Sequence, residues 1–500
     1  MMNKTKNHYT KTLILVLATW CAGFVAHAQV YDIVLKGGRV MDPETGLDAI
    51  RNVGITGDRI AAISEADLVG KTVLDVSGHV VAPGFIDLHV HGMTNDAHRY
   101  QARDGVTTAL ELEGGLPFFA KAMAEKEGKT LVNYGASAAQ ANLRAMAMRG
   151  YAPYVAQIKA ILAKPEYDQT ELDKIAINMG RAAYQAMDDA EIKDMMGLLE
   201  AELEAGALGI GVPVGYYPGS TRGEIYRVYE LAAQKNVLVY SHTRGFGLPG
   251  IQEALANAAA AGAPLHIVHL NSLSLGEIDV ALDMIASAQQ QGINVTTELY
   301  PYTAASTSLE SALFDEGWQE SLQITYGDLQ WEATGERLTE QTFQEYRKKG
   351  GIVIIHMMKP EWISKGIASP VTMIASDGMP YAPGAHPRTA GTFSRVLGKY
   401  VREEQTIGLM EALAKMTLMP AKRMELVAPA MRGKGRLQVG ADADITVFDP
   451  NKITDKATFK GLEYSEGIPY VLVNGTAVVR EGELVEGVFP GKAVMGKYKR

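Results

Sequence analysis

A His-x-His pair is the strongest chemical signal in the chain. His89 and His91 stand in residues 83–92, Pro-Gly-Phe-Ile-Asp-Leu-His-Val-His-Gly. In a β-strand, residues two apart face the same side, so both imidazoles point together at the end of an apolar run. Two neutral imidazoles in that arrangement can bind one divalent cation. The spacing therefore indicates a metal site at the end of a strand.

Further ligand candidates follow other apolar runs. They are His242, His269, Asp377 and either Glu113 or Glu111. A parallel barrel brings the carboxyl ends of its strands to one rim, so residues far apart in sequence can converge there. The single cysteine of the chain, Cys21, lies near the N-terminus. A metal site in the rest of the chain must therefore use His, Asp, Glu or a modified Lys.

The apolar runs themselves predict the fold that positions these residues. They are residues 81–90, 106–112, 208–214, 237–240, 265–270, 293–299, 352–355 and 371–375. Helical stretches rich in Ala, Leu, Glu and Lys lie between several of them, at 191–205, 223–235 and 275–291. Strand–helix alternation over about 350 residues predicts an α/β fold, a (β/α)8 barrel of the TIM type.

Both ends of the chain are richer in strands and turns than the middle. Short apolar runs alternate with turns in residues 30–82 and again from about 433 to 490. Two such ends can complete one small β-sandwich domain. We therefore predict β-domain segments at 29–82 and 433–500 and a catalytic barrel at 83–432. Gln, Glu and Trp interrupt the barrel pattern at about 314–350, which we interpret as an insertion.

The first 28 residues are typical of a secretory signal peptide. Three lysines precede an apolar run, residues 12–25, and Ala26-His27-Ala28 matches a small-x-small cleavage site. The run is too short for a comfortable membrane span. We therefore expect export, to the periplasm, with no stable membrane span after cleavage.

Composition excludes several function classes. The 500 residues are 47% hydrophobic and 21% charged, the profile of a globular protein with a substantial core. The formal net charge of −9 argues against nucleic acid as a partner, because nucleic-acid-binding faces are basic. No Gly-x-Ser-x-Gly elbow and no Gly-x-x-x-x-Gly-Lys-Ser/Thr loop occurs, so serine-triad hydrolysis and P-loop phosphate chemistry have no support.

Taken together, these segments resemble the amidohydrolase superfamily, and within it the D-aminoacylase or N-acyl-D-amino-acid deacylase group. The matching motifs occur in the family's order at residues 83–92, 105–108, 215–219, 241–244, 269–272, 300–304, 376–378, 386–388, 391–393 and 440–444. The resemblance implies a metal-dependent hydrolase that cleaves a C–N amide bond. The implied substrate is a small molecule, an N-acyl-D-amino acid or a related amide.

The resemblance also implies a role for each ligand candidate. His89 and His91 would hold the more buried metal position, and His242 and His269 the second. The cofactor would be Zn²⁺, as one or two ions, with another divalent metal as the alternative. Asp377 would be the general base and a possible ligand, taking a proton from zinc-activated water and giving it to the leaving amine.

The residue that bridges the metals departs from the family pattern. The family has a cysteine shortly after the Gly-x-Thr-Thr strand, and this chain has none there. Glu113 stands nearer the expected position and is the first substitute, with Glu111 as the alternative. Because a carboxylate can bridge two metals, a two-metal site is compatible with the sequence.

Substrate-binding candidates follow from the same resemblance. Arg388 would clamp a substrate carboxylate through two hydrogen bonds, with an acid of the rim as its alternative partner. Tyr302 would donate a hydrogen bond to the same carboxylate, and Arg244 would add a positive electrostatic field at the site. Tyr217 is either a substrate contact or part of a lid. At Asn271 the family often has a lysine, so this chain lacks a charge there.

Two other functions stay open. A cyclic amidase of the hydantoinase or dihydroorotase type, or a lactonase, would use the same metal site. Hydantoinases commonly bridge their metals with a carboxylated lysine, and no lysine here has a convincing strand-end context. A non-catalytic metal- or ligand-binding protein is the alternative from another class. The presence of Asp377 argues against it, because a pure binding site needs no base.

Overall fold

The computed structural model describes residue 1, residues 29–164 and residues 166–499. Apart from Met1, the predicted signal peptide lies outside the described residues. Within the described part of the chain, no helix is long and apolar enough to cross a membrane.

The N-terminal segment forms five strands separated by short turns. They are β1 (Val30–Asp42), β2 (Leu47–Thr56), β3 (Arg59–Ser64), β4 (Val69–Asp75) and β5 (Val80–Pro83). β1 pairs antiparallel with β2 and parallel with β4 and β5. These strands form one part of a sheet that the C-terminus completes.

The chain enters the barrel at Gly84. A Cβ atom there would lie 2.2 Å from Thr107 Oγ1, so only glycine lets β5 pass directly into β6 (Phe85–Asp87). The predicted run 81–90 is therefore divided between two sheets. Its first half belongs to the terminal sheet, and its second half begins the barrel.

Strands and helices then alternate as far as β12. In chain order they are α1 (Asn95–Arg103), β7 (Val106–Leu116), α2 (Phe119–Lys126), β8 (Asn133–Ala139), α3 (Gln140–Ala147), α4 (Ala152–Leu162), α5 (Gln169–Ile177), α6 (Asp189–Ala205), β9 (Ile210–Pro213), α7 (Arg222–Gln234), β10 (Val239–His242), α8 (Leu248–Ala261), β11 (Leu265–Ile267), α9 (Leu270–Ser274), α10 (Ile278–Gln290) and β12 (Val295–Leu299). The predicted helical stretches correspond to α6, α7 and α10.

An insertion interrupts the alternation after β12. It contains β13 (Ala305–Ser308), α11 (Trp318–Leu322), β14 (Leu329–Trp331), α12 (Glu340–Lys349) and β15 (Ile352–Ile355). The strands form a separate antiparallel sheet in the order β13-β15-β14. The assignment of run 352–355 to the barrel was therefore wrong, because this run pairs with the other strands of the insertion.

The chain returns to the barrel after the insertion. The elements are α13 (Pro360–Ala368), β16 (Thr372–Ile374), α14 (Arg388–Arg395) with a π-helical continuation (Val396–Glu403), α15 (Leu409–Met416) and α16 (Leu418–Met424). The parallel sheet has the order β6-β7-β8-β9-β10-β11-β12-β16. This is a nearly closed eight-stranded barrel, and the predicted fold class is confirmed. β8 is the barrel strand that the sequence analysis missed.

A side chain joins the first and last strands of the barrel. β6 and β16 are the two ends of the hydrogen-bonded strand order. Asp87 Oδ1 accepts hydrogen bonds from the backbone N–H of Ser376 at 3.0 Å and of His89 at 3.1 Å. Just beyond, the His91 N–H donates to the Gly378 carbonyl at 2.7 Å. Asp87 is fully buried, and burial raises its pKa to about 6.

The C-terminal segment returns to the N-terminal strands. It contributes β17 (Ile445–Phe448), β18 (Tyr470–Val473), β19 (Thr476–Arg480) and β20 (Glu483–Leu484). β17 pairs antiparallel with β5, so one nine-stranded sheet contains both ends of the chain. Its core packs Leu35 and Val53 against Ile445 and Leu472. The predicted β-domain built from both chain ends is thereby confirmed.

Replacing Asp87 with alanine is expected to destabilise the barrel. The change leaves the N–H groups of His89 and Ser376 without this acceptor, at a cost of roughly 1–3 kcal/mol for each group left unpaired. Urea denaturation of the metal-free protein measures the free energy of unfolding. Asp279→Ala, at an exposed residue on α10, is the matched control, and equal losses in both variants would contradict the role given to Asp87.

Candidate metal centre

The His-x-His pair lies just beyond β6 rather than within it. Backbone bridges join His89 to Glu111 and Val90 to Gly378, so strands on both sides hold the segment in place. The two imidazole rings lie 5.1 Å apart in an edge-to-face arrangement. Both rings turn toward the same carboxylate, as the i, i+2 spacing predicts.

That carboxylate is Glu113, which lies at the centre of the cluster. Its Oε2 is 2.7 Å from His89 Nε2, 3.5 Å from His91 Nε2 and 3.7 Å from His269 Nε2. Its Oε1 is 2.9 Å from His242 Nδ1. Although burial disfavours the charged form, hydrogen bonds from these histidines hold the pKa of Glu113 well below its usual range.

Glu111 contacts the cluster from one side. Its Oε2 is 2.9 Å from His91 Nδ1, and its Oε1 accepts the backbone N–H of Gly114 at 3.0 Å. Glu111 thus orients one histidine. The structure brings Glu113, and not Glu111, between the histidines.

Two residues of the cluster adopt left-handed backbone conformations. The φ angle is 28° at His269, after β11, and 52° at Asp377, after β16. Non-glycine residues rarely adopt this region, which costs of order 1–3 kcal/mol and is concentrated at functional sites. The chain therefore turns sharply at both strand ends, where these two side chains join the cluster.

Asp377 faces two histidines on one side and a cation on the other. Its Oδ1 is 3.3 Å from His91 Nε2 and 3.6 Å from His89 Nε2. Its Oδ2 is 2.9 Å from Arg388 Nη1. Although burial opposes ionisation, the charges of Arg388 and His89 lower the pKa of Asp377. The carboxylate is therefore held in its ionised form.

Sequence analysis missed one acid of this centre, Glu298. It lies on β12 and is fully buried. Its Oε1 is 2.9 Å from His89 Nδ1 and accepts the backbone N–H of His269 at 2.7 Å. The available signal was a lone acid at the end of the apolar run 293–299. A buried charge in such a run needs a partner, and that requirement could have identified it.

Arg388 is almost completely buried beside Asp377. Its Nη2 donates to the Ser306 carbonyl at 3.2 Å, and its guanidinium lies 4.6 Å from the centre of the Tyr300 ring. Nη1 is close to Asp377 but not aligned for a hydrogen bond, and neither Nη1 nor Nε has a hydrogen-bond acceptor among the described residues. Arg388 therefore pairs with an acid, as the predicted alternative had it, and also keeps two nitrogen donors without hydrogen-bond acceptors.

Two other predicted substrate-binding residues are engaged by acids outside the histidine cluster. The Tyr302 hydroxyl donates to Asp455 Oδ2 at 3.2 Å. Arg244 Nε donates to Glu253 Oε1 at 3.1 Å. Either residue would have to change partner to bind a substrate carboxylate.

The remaining two candidates lie in different environments. Asn271 is fully buried, and its Nδ2 donates to the Tyr300 carbonyl at 3.1 Å. Tyr217 follows the 3-10 turn at Val214–Tyr216, and burial raises its pKa to about 12. Its neighbour Tyr216 packs its ring 4.8 Å from the His242 ring. Tyr216 is thus the tyrosine of this pair that contacts a ligand candidate.

The donor set fits zinc. Candidate ligand atoms within 4.8 Å of one another form two groups that share one residue: His89, His91, Glu113 and Asp377 in one, and Glu113, His242 and His269 in the other. Imidazole nitrogens and carboxylate oxygens are normal zinc ligands. The charge balance agrees, because four buried carboxylates surround the histidines beside a single arginine, Arg388. In the metal-free protein, despite burial, these carboxylates raise the pKa of His89 and His91, so protonated imidazoles share the compensation, and bound divalent cations would take the place of those protons.

Comparison with known proteins agrees with this geometry. The amidohydrolase family model matches residues 72–479. N-acyl-D-glutamate deacylase from Alcaligenes xylosoxydans xylosoxydans is 31% identical, over 89% of this chain and 93% of that protein.

Two solved structures share the fold over 93% of this chain and the whole of theirs. One is N-acyl-D-glutamate deacylase from Bordetella bronchiseptica, 27% identical with a TM-score of 0.77, in complex with zinc and a phosphonate that mimics the tetrahedral intermediate of the reaction. The other is a D-aminoacylase, 25% identical with a TM-score of 0.74, described as having a binuclear metal centre with one-metal activation and second-metal attenuation. The resemblance seen in the sequence motifs is confirmed, and the chain belongs to the amidohydrolase family.

Proposed function

We propose that the protein is a zinc-dependent deacylase that hydrolyses an N-acyl-D-amino acid to a carboxylate and a D-amino acid. One observation carries the proposal: two groups of ligand atoms share Glu113 directly beside the Asp377–Arg388 pair. A hydrolytic centre thus lies next to a cation suited to a carboxylate. The relatives named above, which act on N-acyl-D-glutamate or are D-aminoacylases, support the amide and the D configuration.

We assign the two ligand groups to two zinc positions. His89, His91 and Asp377 would hold one ion, and His242 and His269 the other. Glu113 would bridge them, because its Oε2 faces the first pair of histidines and its Oε1 faces His242. In this chain, the Glu113 carboxylate takes the bridging role that a cysteine has in the family.

Asp377 is the residue placed to move protons. When bound, zinc lowers the pKa of a water molecule and polarises the amide carbonyl. Asp377 Oδ1 faces the histidines, so this atom takes the proton from water and passes it to the leaving amine nitrogen. Arg388 holds the other oxygen, Oδ2, which fixes the orientation of the carboxylate and keeps it ionised.

Arg388 is also the best placed group to bind the carboxylate of the substrate. Its Nε and Nη1 are buried donors without hydrogen-bond acceptors among the described residues. An Arg–carboxylate pair is among the stronger polar contacts in proteins. A bound amino-acid carboxylate would accept a hydrogen bond from Nε and would place the amide next to Asp377. A simple hydantoin ring has no carboxylate, so this contact favours an N-acyl amino acid over a hydantoin.

Export to the periplasm remains a proposal based on residues 1–28. Their lysines, apolar run and Ala-x-Ala sequence support it. N-terminal sequencing of protein recovered from the periplasm of an expressing cell with two membranes tests it. Cleavage after Ala28 would give Gln29 as the first residue.

The zinc-loaded protein comprising residues 29–500 is expected to release amine from N-acyl-D-amino acids and not from their L enantiomers. Zinc content per chain and amine release from a matched D and L panel measure this. Removal of zinc with a chelator should abolish the release, and added zinc should restore it. A zinc-loaded protein that opens cyclic amides but releases no amine from the D series would contradict the proposal.

Asp377→Asn is expected to lower kcat about 10²–10⁴-fold, the usual contribution of a general base. The variant should still bind zinc, because the group formed by Glu113, His242 and His269 does not include Asp377. Metal analysis and steady-state kinetics together check both statements. Asp279→Asn is the control, and a non-catalytic binding protein would show no difference between the two variants.

Arg388→Lys is expected to raise KM for an N-acyl-D-amino acid by roughly tenfold or more, since a hydrogen bond to a charged group contributes about 1.5–3 kcal/mol. The same variant should affect the corresponding N-acyl-D-amino amide much less, because that substrate has no carboxylate. The ratio of kcat/KM for acid and amide is the readout. Arg222→Lys, at an exposed arginine, is the control. An unchanged ratio would exclude Arg388 as the carboxylate-binding residue.

A further inference from the structure

We infer that Glu298 is a positioning residue that couples the two zinc positions. Through one carboxylate oxygen it fixes both the orientation of His89 and the backbone turn that carries His269. The inference rests on the zinc site of the proposed function but not on the identity of the substrate. Glu298 lies on the Nδ1 side of the His89 ring, away from Glu113. Among the described residues, no hydrogen bond joins its Oε1 to the Glu113 carboxylate.

The first contact selects the tautomer of His89. His89 Nδ1 is 2.9 Å from Glu298 Oε1, and its Nε2 is 2.7 Å from Glu113 Oε2. Because an ionised carboxylate can only accept, Nδ1 must carry a proton and donate it to Glu298. Nε2 meets the ionised Glu113 in the same way, so it also carries a proton in the metal-free protein. A cation on the Glu113 side would displace that proton, while Glu298 keeps the proton on Nδ1.

The second contact holds the turn at His269. This residue has a φ of 28°, and its backbone N–H donates to the same oxygen of Glu298 at 2.7 Å. The His89 and His269 rings stack with their centres 5.3 Å apart. A shift of Glu298 would therefore move one ligand of each zinc group at once.

The charge of Glu298 has a separate effect. The side chain is fully buried, and its Oε2 has no hydrogen-bond partner among the described residues. A neutral amide could accept the same two hydrogen bonds through one oxygen. Only a carboxylate places negative charge on the far side of His89, which makes Nε2 a stronger donor to a cation.

Glu298→Gln separates charge from shape and is the decisive variant. We expect the Kd for zinc to rise roughly 10–100-fold, the usual effect of removing the partner of a metal-binding histidine. The measurement is competition for zinc with a chromophoric chelator, on the full chain after signal cleavage. The visible spectrum of the Co²⁺-substituted variant should also change, because loss of the charge weakens the donation from His89 Nε2 to the metal.

Glu202→Gln is the matched control. Glu202 is a partly buried acid on α6 that accepts the backbone N–H groups of Phe118 and Phe119, at 3.0 and 2.8 Å. This variant should keep the zinc affinity and Co²⁺ spectrum of the natural chain. An unchanged zinc Kd in Glu298→Gln, or an equal loss in Glu202→Gln, overturns the inference.

Glu298→Asp provides a test that keeps the charge. Its shorter side chain withdraws the carboxylate from His89, so zinc affinity should lie between those of the natural chain and Glu298→Gln. If Glu298→Gln does not fold, an unchanged zinc Kd in Glu298→Asp overturns the inference. Zinc binding is measured without substrate, so a protein that fails to release amine refutes the proposed function and leaves this test intact.

Discussion

The metal centre depends on the contact between the two edge strands of the barrel. His89 and His91 follow the first strand and Asp377 follows the last, so these ligand candidates meet only if β6 and β16 lie side by side. The Asp87 carboxylate joins the two strands by accepting N–H groups from both. Between β6 and β16, these hydrogen bonds to Asp87 replace a regular ladder of backbone hydrogen bonds. The same contacts therefore close the barrel and set the geometry of the site.

Burial of acids beside the histidines sets the chemistry that the site can support. Glu111, Glu113, Glu298 and Asp377 are all buried, and in a medium of low dielectric constant their charges are costly unless compensated. Arg388 compensates one of them through its contact with Asp377. The remaining charge favours divalent cations between the histidines.

The sequence predicted the parts of this site that have local signals. Histidines and acids directly after apolar runs identified the ligand candidates, because a parallel barrel brings all its strand ends to one rim. β8 was missed because Asn133–Ala139 consists mostly of small residues and contains no β-branched residue. Run 352–355 has that pattern but pairs within the insertion. The partners of Tyr302 and Arg244, and the contacts of Glu298, depend on tertiary packing that no local spacing encodes.

The insertion contributes residues to the candidate site. Its first strand, β13, contributes the Ser306 carbonyl that accepts from Arg388 and the Thr307 hydroxyl that lies 3.0 Å from the Tyr216 hydroxyl. The Tyr216 ring in turn packs on His242. One short strand thus contacts both the arginine proposed to bind the carboxylate and a tyrosine that packs on one ligand candidate, His242. Since these contacts come from adjacent residues of one strand, β13 would, under the proposed function, set the distance between the carboxylate end of a substrate and the bond to be cleaved.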